Sequence, residues 1–396
     1  METTKKQNSS PWGLLIIVLI LATAPPAALF KIASVQTTMM NALDLTSTQV
    51  GLLSSAFSLA SVVMAIPGGL IAAKFGNWKT GLLSFLAVIV GGSIGVFFSG
   101  LSLLILARVI EGIGQVLIGL VGPSVISQAF SPEKRGKAMG VFMTYMSIAS
   151  VMAYNIFPRI AKSSGWKGTW VFTTVFALIC LVVWALLKKP ISSTEVAVSN
   201  EEPSARLRDV VTNKSVWLIS LQVTLCTIAF QAAYQFLSNY LVTVRGLEET
   251  TAGSLCSISG TIGILGSILA GAISDKLHTR KWIVLILAVV CGVHYMLPTM
   301  WPTGLFAAYI FIFGLLGNGI TPVAMTGATE VVSSPKLAGV AVAMVTLMMN
   351  LGILLASPTF GMILDMTNTN WTVAYISMGV ISIAGGGLLL FCRKLK

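Results

Sequence analysis

An arginine and a glutamate lie three positions apart in a stretch of sequence that is otherwise apolar. The segment LARVIEGIGQ, residues 106–115, holds Arg108 and Glu111 within a run that extends from LSLLI to VISQAF. A charged side chain at the centre of a bilayer costs about 2.5 to 3.5 kcal/mol on insertion scales. Residues three apart share a helix face, so each charge can lower the desolvation cost of the other. The pair is therefore either a structural brace between helices or part of a functional site.

A second embedded cation is Lys31, in the segment APPAALFKIASVQ. Its side chain either extends to the membrane surface or, together with Arg108, gives an internal cavity a positive potential. Of the 13 acidic residues, Glu111 alone falls within hydrophobic depth. This balance favours an anionic ligand and makes Glu111 the candidate for proton coupling.

Uncharged polar residues recur in the apolar segments and could hydrogen-bond a solute. The segment LQVTLCTIAFQAAYQFLSNY places Gln231 and Tyr234 on one helix face. A single polar residue commonly joins two membrane helices, whereas a set around one cavity suits a small polar solute such as a carboxylate. The predicted substrate-binding residues are Lys31, Arg108, Tyr145, Gln231, Tyr234 and Asn350.

Helices that cross a membrane must position these residues. The chain of 396 residues is 55% hydrophobic and only 10% charged, against about 25% charged in a typical soluble domain. Apolar segments of about 20 residues recur along it, each long enough to cross a bilayer as a helix. Twelve are predicted, at 12–36, 47–72, 79–99, 101–129, 136–160, 168–187, 215–242, 250–273, 281–300, 303–326, 337–363 and 371–392.

The excess of basic residues indicates orientation. The net charge is +12, and most of the 25 Lys and Arg residues fall in loops on one side of the predicted membrane. The positive-inside rule then places both termini in the cytoplasm, which an even number of helices requires. We expect a multi-pass protein of the cytoplasmic membrane that acts as a monomer on a small-molecule substrate. The sequence predicts no nucleic-acid partner, no metal and no cofactor.

The chain divides into two similar halves. We predict an N-terminal six-helix bundle at 1–187, a polar cytoplasmic linker at 188–214 and a C-terminal six-helix bundle at 215–396. Gly51 and Gly253 are 202 positions apart, as are Gly69 and Gly271. Both copies begin on the same side and contain an even number of helices, so they form a parallel repeat related by an axis along the membrane normal.

Two loops and one helix carry motifs that resemble those of the major facilitator superfamily. The loops GLIAAKFGNWK and GAISDKLHTRK resemble its signature G-x-x-x-D-[RK]-x-G-[RK]-[RK], and LARVIEGIGQ resembles its R-x-x-[QE]-G-x-G pattern. The first copy departs from the signature at Ala73 and the second at His278. The matching loop residues are Gly69, Lys74, Gly76, Lys79, Gly271, Asp275, Lys276 and Arg280.

This resemblance implies an all-α integral membrane protein with twelve transmembrane helices in two six-helix parallel repeats. It also implies a central cavity, alternating access and a conformational switch at the signature loops. We expect a secondary transporter of a small anion, such as a carboxylate, by proton symport or exchange. The alternative is an efflux pump for drugs or metabolites, although the fifth segment, VFMTYMSIASVMAYNIFPRI, lacks the antiporter pattern. No nucleophile with a base is evident, so we expect no enzyme.

Overall fold

The computed structural model describes residues 11–64, 67–188, 191, 210–332, 337–392 and 395. These residues form sixteen α-helices and two short 3-10 turns, and no strand occurs among them. The helices are α1 (Pro11–Ala22), α2 (Ala24–Ser34), α3 (Gln36–Leu43), α4 (Ser47–Val63), α5 (Pro67–Phe97), α6 (Leu101–Ala129), α7 (Pro132–Phe142), α8 (Tyr145–Leu186), α9 (Lys214–Gln235), α10 (Leu237–Thr243), α11 (Glu249–Leu277), α12 (Lys281–Tyr295), α13 (Phe306–Gly317), α14 (Ile320–Glu330), α15 (Ala338–Met366) and α16 (Trp371–Leu388).

These helices combine into twelve helical segments, as predicted, and nine stretches among the described residues are long and apolar enough to cross a membrane. Gly76 has a φ of 72° inside α5, and Gly165 has a φ of 65° inside α8. Each glycine therefore divides a long helix into parts of two consecutive segments. Conversely, α1 to α3 form the first segment, α9 and α10 the seventh, and α13 and α14 the tenth. The predicted linker at 188–214 lies largely outside the described residues, so the domain boundaries stay a prediction.

The first segment is longer than predicted. It continues to Leu43, beyond the expected end near residue 36, because the polar sequence QTTMM forms α3. Pro25 and Pro26 lie in the first turn of α2, where the missing amide hydrogens cost little. The segment ends at Asp44, which adopts a left-handed conformation with a φ of 50°. Hydropathy did not predict α3 because its sequence is polar. The helix is held by contacts with α8 and α10, which composition does not reveal.

Left-handed residues confirm the internal repeat. Asp44 and Gly246 both have positive φ, of 50° and 68°, and are 202 positions apart. Gly76 and His278 have φ of 72° and 51° and are separated by the same interval. The second pair occupies the second glycine position of the signature loop. His278 departs from the signature yet keeps the turn, because histidine enters the left-handed region more readily than most residues.

Helix crossings repeat in the same way. A Cβ atom on Gly112 would lie 2.1 Å from the carbonyl oxygen of Phe57, and one on Gly314 would lie 2.6 Å from that of Ser259. Phe57 and Ser259 are themselves 202 positions apart. Glycine permits this close approach of backbones, as is common in membrane bundles. The second and fourth segments of each half, α4 with α6 and α11 with α13, therefore cross in the same geometry.

The two halves meet along two helix pairs, α4 with α15 and α8 with α11. A Cβ atom on Gly51 would lie 2.5 Å from the carbonyl oxygen of Ser357, and one on Gly253 would lie 2.2 Å from that of Tyr154. Following the predicted orientation, we call the end that carries Asp44 and Asp365 the outer end. The end that carries the signature loops is the inner end. Both glycine contacts lie toward the outer end, where the halves are closely packed.

Candidate functional site

A cavity of about 360 Å³ lies between the two halves. Each half contributes ten lining residues, and none of the twenty is acidic or basic. The first half supplies Leu29, Phe30, Ala33, Phe57, Ser58, Ser61, Gln115, Met146, Ser147 and Ser150. The second half supplies Phe230, Gln231, Tyr234, Gln235, Ser259, Gly260, Asn318, Met349, Asn350 and Ile353.

Breaks in the helices place several of these residues at the cavity. Ala33 lies one residue before the end of α2, Gln235 ends α9, and Asn318 separates α13 from α14. The Asn318 side chain donates a hydrogen bond of 3.0 Å to the Gly314 carbonyl, and Gly263 leaves room for it. Interrupted helices commonly supply the binding groups of transporters.

The predicted substrate-binding residues divide into two groups. Gln231, Tyr234 and Asn350 line the cavity. Tyr145 is buried beside it, with its hydroxyl 3.4 Å from Nε2 of the lining residue Gln115. The structure brings Lys31 and Arg108 together at Glu111, but neither cation is among the lining residues.

Sequence reasoning missed Gln115 and the aromatic residues that line the cavity. Gln115 follows Glu111 by four positions, and this helical spacing places both residues on one side of α6. The spacing could therefore have predicted Gln115 as a site residue. Phe30, Phe57 and Phe230 gave no such signal, because aromatic residues are frequent in membrane segments whether or not they face a cavity.

Arg108 connects three helices of the first half. It donates hydrogen bonds to the carbonyl oxygens of Ala28 at 2.6 Å, Leu29 at 3.1 Å and Leu53 at 3.3 Å. It also forms an ion pair of 2.8 Å with Glu111 on its own helix. Its side chain is fully buried, and all three of its nitrogen atoms have acceptors. Arg108 thus braces α2 and α4 against α6, which favours the structural alternative for this residue.

Lys31 completes the charged cluster, which we define as Lys31, Arg108 and Glu111. The Lys31 ammonium lies 2.5 Å from the Glu111 carboxylate and 3.3 Å from the centre of the Trp170 ring. Its side chain has no exposed surface, so Lys31 does not extend to the membrane surface. Each oxygen of Glu111 accepts from a different cation, and the cluster has a formal net charge of +1.

The charged cluster lies directly behind the cavity wall. The guanidinium carbon of Arg108 is 4.7 Å from the centre of the Phe57 ring, and Phe57 lines the cavity. Leu29, which also lines the cavity, accepts a hydrogen bond from Arg108 through its carbonyl oxygen. The cavity therefore has no charge on its surface but a net positive cluster one residue layer away.

Two cavity residues contact other helices through their polar atoms. The Tyr234 hydroxyl lies 3.3 Å from Ser150 Oγ of the first half and donates to the Cys256 carbonyl at 3.3 Å. Ser357, whose carbonyl is packed against Gly51, donates a hydrogen bond of 2.6 Å to the Gln235 side chain. A ligand that contacts Tyr234 therefore touches a group that joins the two halves, and one that contacts Gln235 touches a group bonded to Ser357 at their interface.

The outer end is closed by contacts between the halves. Asp365 accepts hydrogen bonds from the backbone amides of Ser47 at 3.1 Å and Thr48 at 2.8 Å, in the first turn of α4. A carboxylate is favourable at this helix terminus. Glu249 accepts from the Thr38 hydroxyl at 2.5 Å and from the Thr38 backbone amide at 3.3 Å.

An exposed ion pair also joins the halves at the outer end. Lys162 lies 3.3 Å from Glu248, and both side chains are mostly exposed. Hydrogen bonds from Lys162 and Thr250, and the charge of Lys162, hold the pKa of the Glu248 carboxyl below its ordinary value. This pair is accessible to solvent and hence to changes of pH and salt.

Among the described residues, the ion pairs at the inner end stay within one half. Arg280 pairs with Asp275 at 2.6 Å and with Glu330 at 3.1 Å, in the second signature loop. Despite partial desolvation, these carboxylates raise the pKa of Arg280 above its ordinary value. In the first signature loop, Lys74 and Lys79 form no ion pair with another described residue, consistent with the acid that Ala73 replaces.

Sequence comparison identifies the family. The family description "Major Facilitator Superfamily" matches residues 15–357, which is most of the chain. The chain belongs to the major facilitator superfamily. It is accordingly a multi-pass membrane transporter rather than an enzyme.

Curated superfamily members align with the chain at low identity. Monocarboxylate transporter 13 of Bos taurus is 24% identical over 82% of this chain and 75% of its own length. The probable galactarate/D-glucarate transporter GudP of Bacillus subtilis (strain 168) is 23% identical over 69% of this chain and 66% of its own length. The hexuronate transporter of the same organism is 25% identical over 60% of this chain. This alignment covers 58% of that relative, less than two thirds of its length.

Solved superfamily structures share the fold. A mutant of the nucleoside transporter NupG superposes with a TM-score of 0.81, at 15% identity, over 96% of this chain and all of the other. A bacterial homolog of the human lysosomal transporter Spinster, inward-facing and occupied, gives 0.77 at 17% identity over 97% of this chain and 96% of the other. At these identities the comparison supports the fold alone.

Proposed function

We propose that the protein is a secondary active transporter that moves a small organic anion, such as a carboxylate, across the cytoplasmic membrane by alternating access. The observation that carries this proposal is the uncharged, hydrogen-bonding cavity backed by a cluster of net charge +1. Glutamine, asparagine and tyrosine side chains donate hydrogen bonds to carboxylates, and the positive cluster favours the charge of the solute.

Coulomb attraction through the cavity wall is large enough to select an anion. A unit charge 10 Å from a second one, at an effective dielectric of 20, contributes about 1.7 kcal/mol. This corresponds to more than tenfold in affinity relative to a neutral analogue. Lys31 and Arg108 would thus act on the substrate mainly through their field, while Gln231, Tyr234 and Asn350 provide direct contacts. Tyr145 would orient Gln115.

The relatives support an organic anion as the substrate. Their names refer to monocarboxylates, galactarate or D-glucarate, and hexuronate, all of which carry at least one carboxylate. An efflux pump for lipophilic cations fits less well, because the described cavity lining contains no acid that would balance a cation.

The distribution of contacts supports alternating access. Hydrogen bonds and an ion pair join the halves at the outer end, whereas the inner-end ion pairs between described residues stay within one half. This arrangement corresponds to a state that is closed outside. Opening toward the outside would break the contacts of Asp365 and Glu249. The residues Gly69, Lys74, Gly76, Lys79, Gly271, Asp275, Lys276 and Arg280 would then form the switch at the inner end.

Glu111 is the group we propose for proton coupling, if transport is by symport rather than exchange. It is bonded to two cations on two different helices. Protonation would remove the acid charge of the cluster and weaken its contact with Lys31 on α2. The first helix would then be free to move relative to α6, which would link a proton to the conformational cycle.

Ligand-dependent thermal stability of the purified protein tests this function. The panel contains a carboxylate, its neutral amide analogue, a neutral sugar and a lipophilic cation, each measured with the wild type, Lys31→Ala and Arg108→Ala. A ligand at 100 times its dissociation constant stabilises the native state by about 2.7 kcal/mol. We expect the carboxylate to stabilise the protein most, and a clear reduction of this stabilisation in folded Lys31→Ala and Arg108→Ala variants. Stabilisation by the cation or equally by the amide would refute the proposal.

Uptake into proteoliposomes then separates symport from exchange. An inward proton gradient should drive accumulation of the carboxylate in symport. In exchange, accumulation should instead require a carboxylate inside the vesicles. In the symport case, Glu111→Gln should abolish the response to the proton gradient while counterflow of the carboxylate continues.

A further inference from the structure

The charge balance around the cavity sets a limit on the charge of the substrate. This step rests on the proposed function, since it assumes that an anion enters the cavity. The twenty lining residues include no acid or base, and the charged cluster behind them has two cations and one acid. While Glu111 is ionised, one negative charge in the cavity balances the cluster. A second would remain unbalanced in a site of low dielectric, where desolvation of an ion is costly.

The two walls of the cavity differ in chemistry. All of its asparagine residues and two of its three glutamines lie in the second half, at Gln231, Gln235, Asn318 and Asn350. The first half faces them with large apolar side chains interspersed with serines and one glutamine. These apolar side chains are Leu29, Phe30, Phe57 and Met146.

The apolar part of the cavity wall disfavours a substrate with hydroxyl groups on all sides, because the serines and Gln115 can bond only some of them. A hydroxyl that loses water without gaining a hydrogen bond costs free energy, and aromatic and thioether side chains offer it little compensation. The same wall gains from burial of apolar surface. The polar wall meanwhile can serve one carboxylate through several amide donors.

We propose that the substrate is a monoanion with an apolar body, such as an aryl- or alkyl-substituted monocarboxylate, rather than a dicarboxylate or a polyhydroxylated sugar acid. Its carboxylate contacts the amide side chains of the second half, and its body packs against the apolar residues of the first. The charged cluster supplies the balancing charge through the Phe57 and Leu29 layer.

A panel of matched probes tests the inference on the wild-type protein. Phenylacetate carries one charge and an apolar ring, phenylmalonate adds a second carboxylate, and phenylacetamide removes the charge. Glucuronate and glucarate carry one and two charges on a hydroxylated body. We expect phenylacetate to bind at least tenfold more tightly than each of the other four. Thermal stabilisation measures the affinities, and the ability of each probe to inhibit phenylacetate uptake provides a second measurement.

The outcomes separate this inference from the proposed function. If phenylmalonate, glucuronate or glucarate binds as tightly as phenylacetate, the protein is still an anion transporter but the inference is wrong. If phenylacetamide binds as tightly as phenylacetate while no acid exceeds it, the proposed function fails instead. Binding of none of the five probes also refutes the inference, because the cavity would then not accept an apolar monoanion.

Two substitutions change the determinants one at a time. Glu111→Gln raises the formal charge of the cluster to +2 and should increase the ratio of phenylmalonate to phenylacetate affinity by about tenfold. Met146→Gln makes the apolar wall polar and should raise the ratio of glucuronate to phenylacetate affinity about fivefold. Met146 lies outside the charged cluster. If Glu111→Gln does not fold, Met146→Gln therefore still tests the inference. Unchanged ratios in folded variants would overturn the assignment of these residues.

Discussion

The Arg108 guanidinium stacks 4.7 Å from the centre of the Phe57 ring, and Phe57 in turn lines the central cavity. One aromatic ring therefore lies between a buried charge and the space available to a solute. The same arginine is held by carbonyl oxygens of two other helices. A structural role for Arg108 and an electrostatic effect on the cavity are consequently compatible, although Arg108 is not among the lining residues.

Glu111 should be essential to stability because it balances two fully buried cations. We expect Glu111→Gln to lower the free energy of unfolding by about 3 to 5 kcal/mol, since it leaves an uncompensated charge in the interior. Thermal denaturation in detergent measures this loss. Glu330→Gln is the matched control, because Glu330 pairs with Arg280 at an exposed site. It should lower the free energy of unfolding by about 0 to 1 kcal/mol.

A second substitution distinguishes loss of charge balance from loss of packing. Adding Lys31→Met to Glu111→Gln removes one unpaired cation and keeps a side chain of similar length. The double variant should regain part of the lost stability, giving a non-additive double-mutant cycle. If the two effects simply add, the ion pair between Lys31 and Glu111 does not contribute as described.

The sequence predicted the twelve segments and the internal repeat because hydropathy and glycine spacing depend on local composition. It also identified Arg108 and Glu111 as a pair, since three residues along a helix determine proximity. The contact of Lys31 with Glu111 joins residues 80 positions apart and depends on how α2 crosses α6. Helical periodicity places residues on a common face, but it does not determine whether that face points to the cavity. For this reason Tyr145 lies beside the cavity whereas its neighbour Met146 lines it.

The amide side chains at the cavity should contribute to substrate affinity rather than to folding. Gln231 and Asn350 line the cavity and are partly exposed to it. Gln231→Leu and Asn350→Leu remove hydrogen-bond donors at nearly constant volume, so each should weaken carboxylate binding by about fivefold to tenfold. Ligand titration monitored by thermal stability gives the dissociation constants. Asn41→Leu, at an exposed position of α3, should leave them unchanged.

Asp365 should hold the outer end closed through its bonds with the first turn of α4. We expect Asp365→Asn to weaken closure by about 1 kcal/mol, or roughly fivefold in the ratio of closed to open molecules, because a charged acceptor is lost. Spin labels at Asn41→Cys and Thr372→Cys, at exposed helical positions of the two halves, report the outer separation. The five native cysteines are buried.

The matched control for this measurement is Asp44→Asn. Asp44 is an exposed acid at the same end, and asparagine also tolerates its left-handed conformation. The Asp44→Asn substitution should leave the distribution of distances between the labels the same as in the labelled protein without it. An equal shift in both variants would mean that net charge at the outer end, rather than the bonds of Asp365, controls closure.

The ion pair between Lys162 and Glu248 should make outer closure depend on pH and salt. The pKa of Glu248 is below its ordinary value in the closed state, so its contribution to closure is complete above the ordinary value. The contribution is lost as the pH falls through the lowered value. Because both side chains are mostly exposed, the effect is small and high salt should screen it.

The same labels at Asn41→Cys and Thr372→Cys measure this dependence between pH 7.5 and about pH 3, and at low and high salt, in proteins with and without Lys162→Met. Lysine at 162 should favour the short distance at neutral pH and low salt, and this advantage should vanish in acid or about 1 M salt. Asp365 and Glu249 also titrate in acid, so only the difference between the two proteins reports on the ion pair. A difference that persists in acid and high salt would show that Lys162 favours closure through packing rather than through its charge.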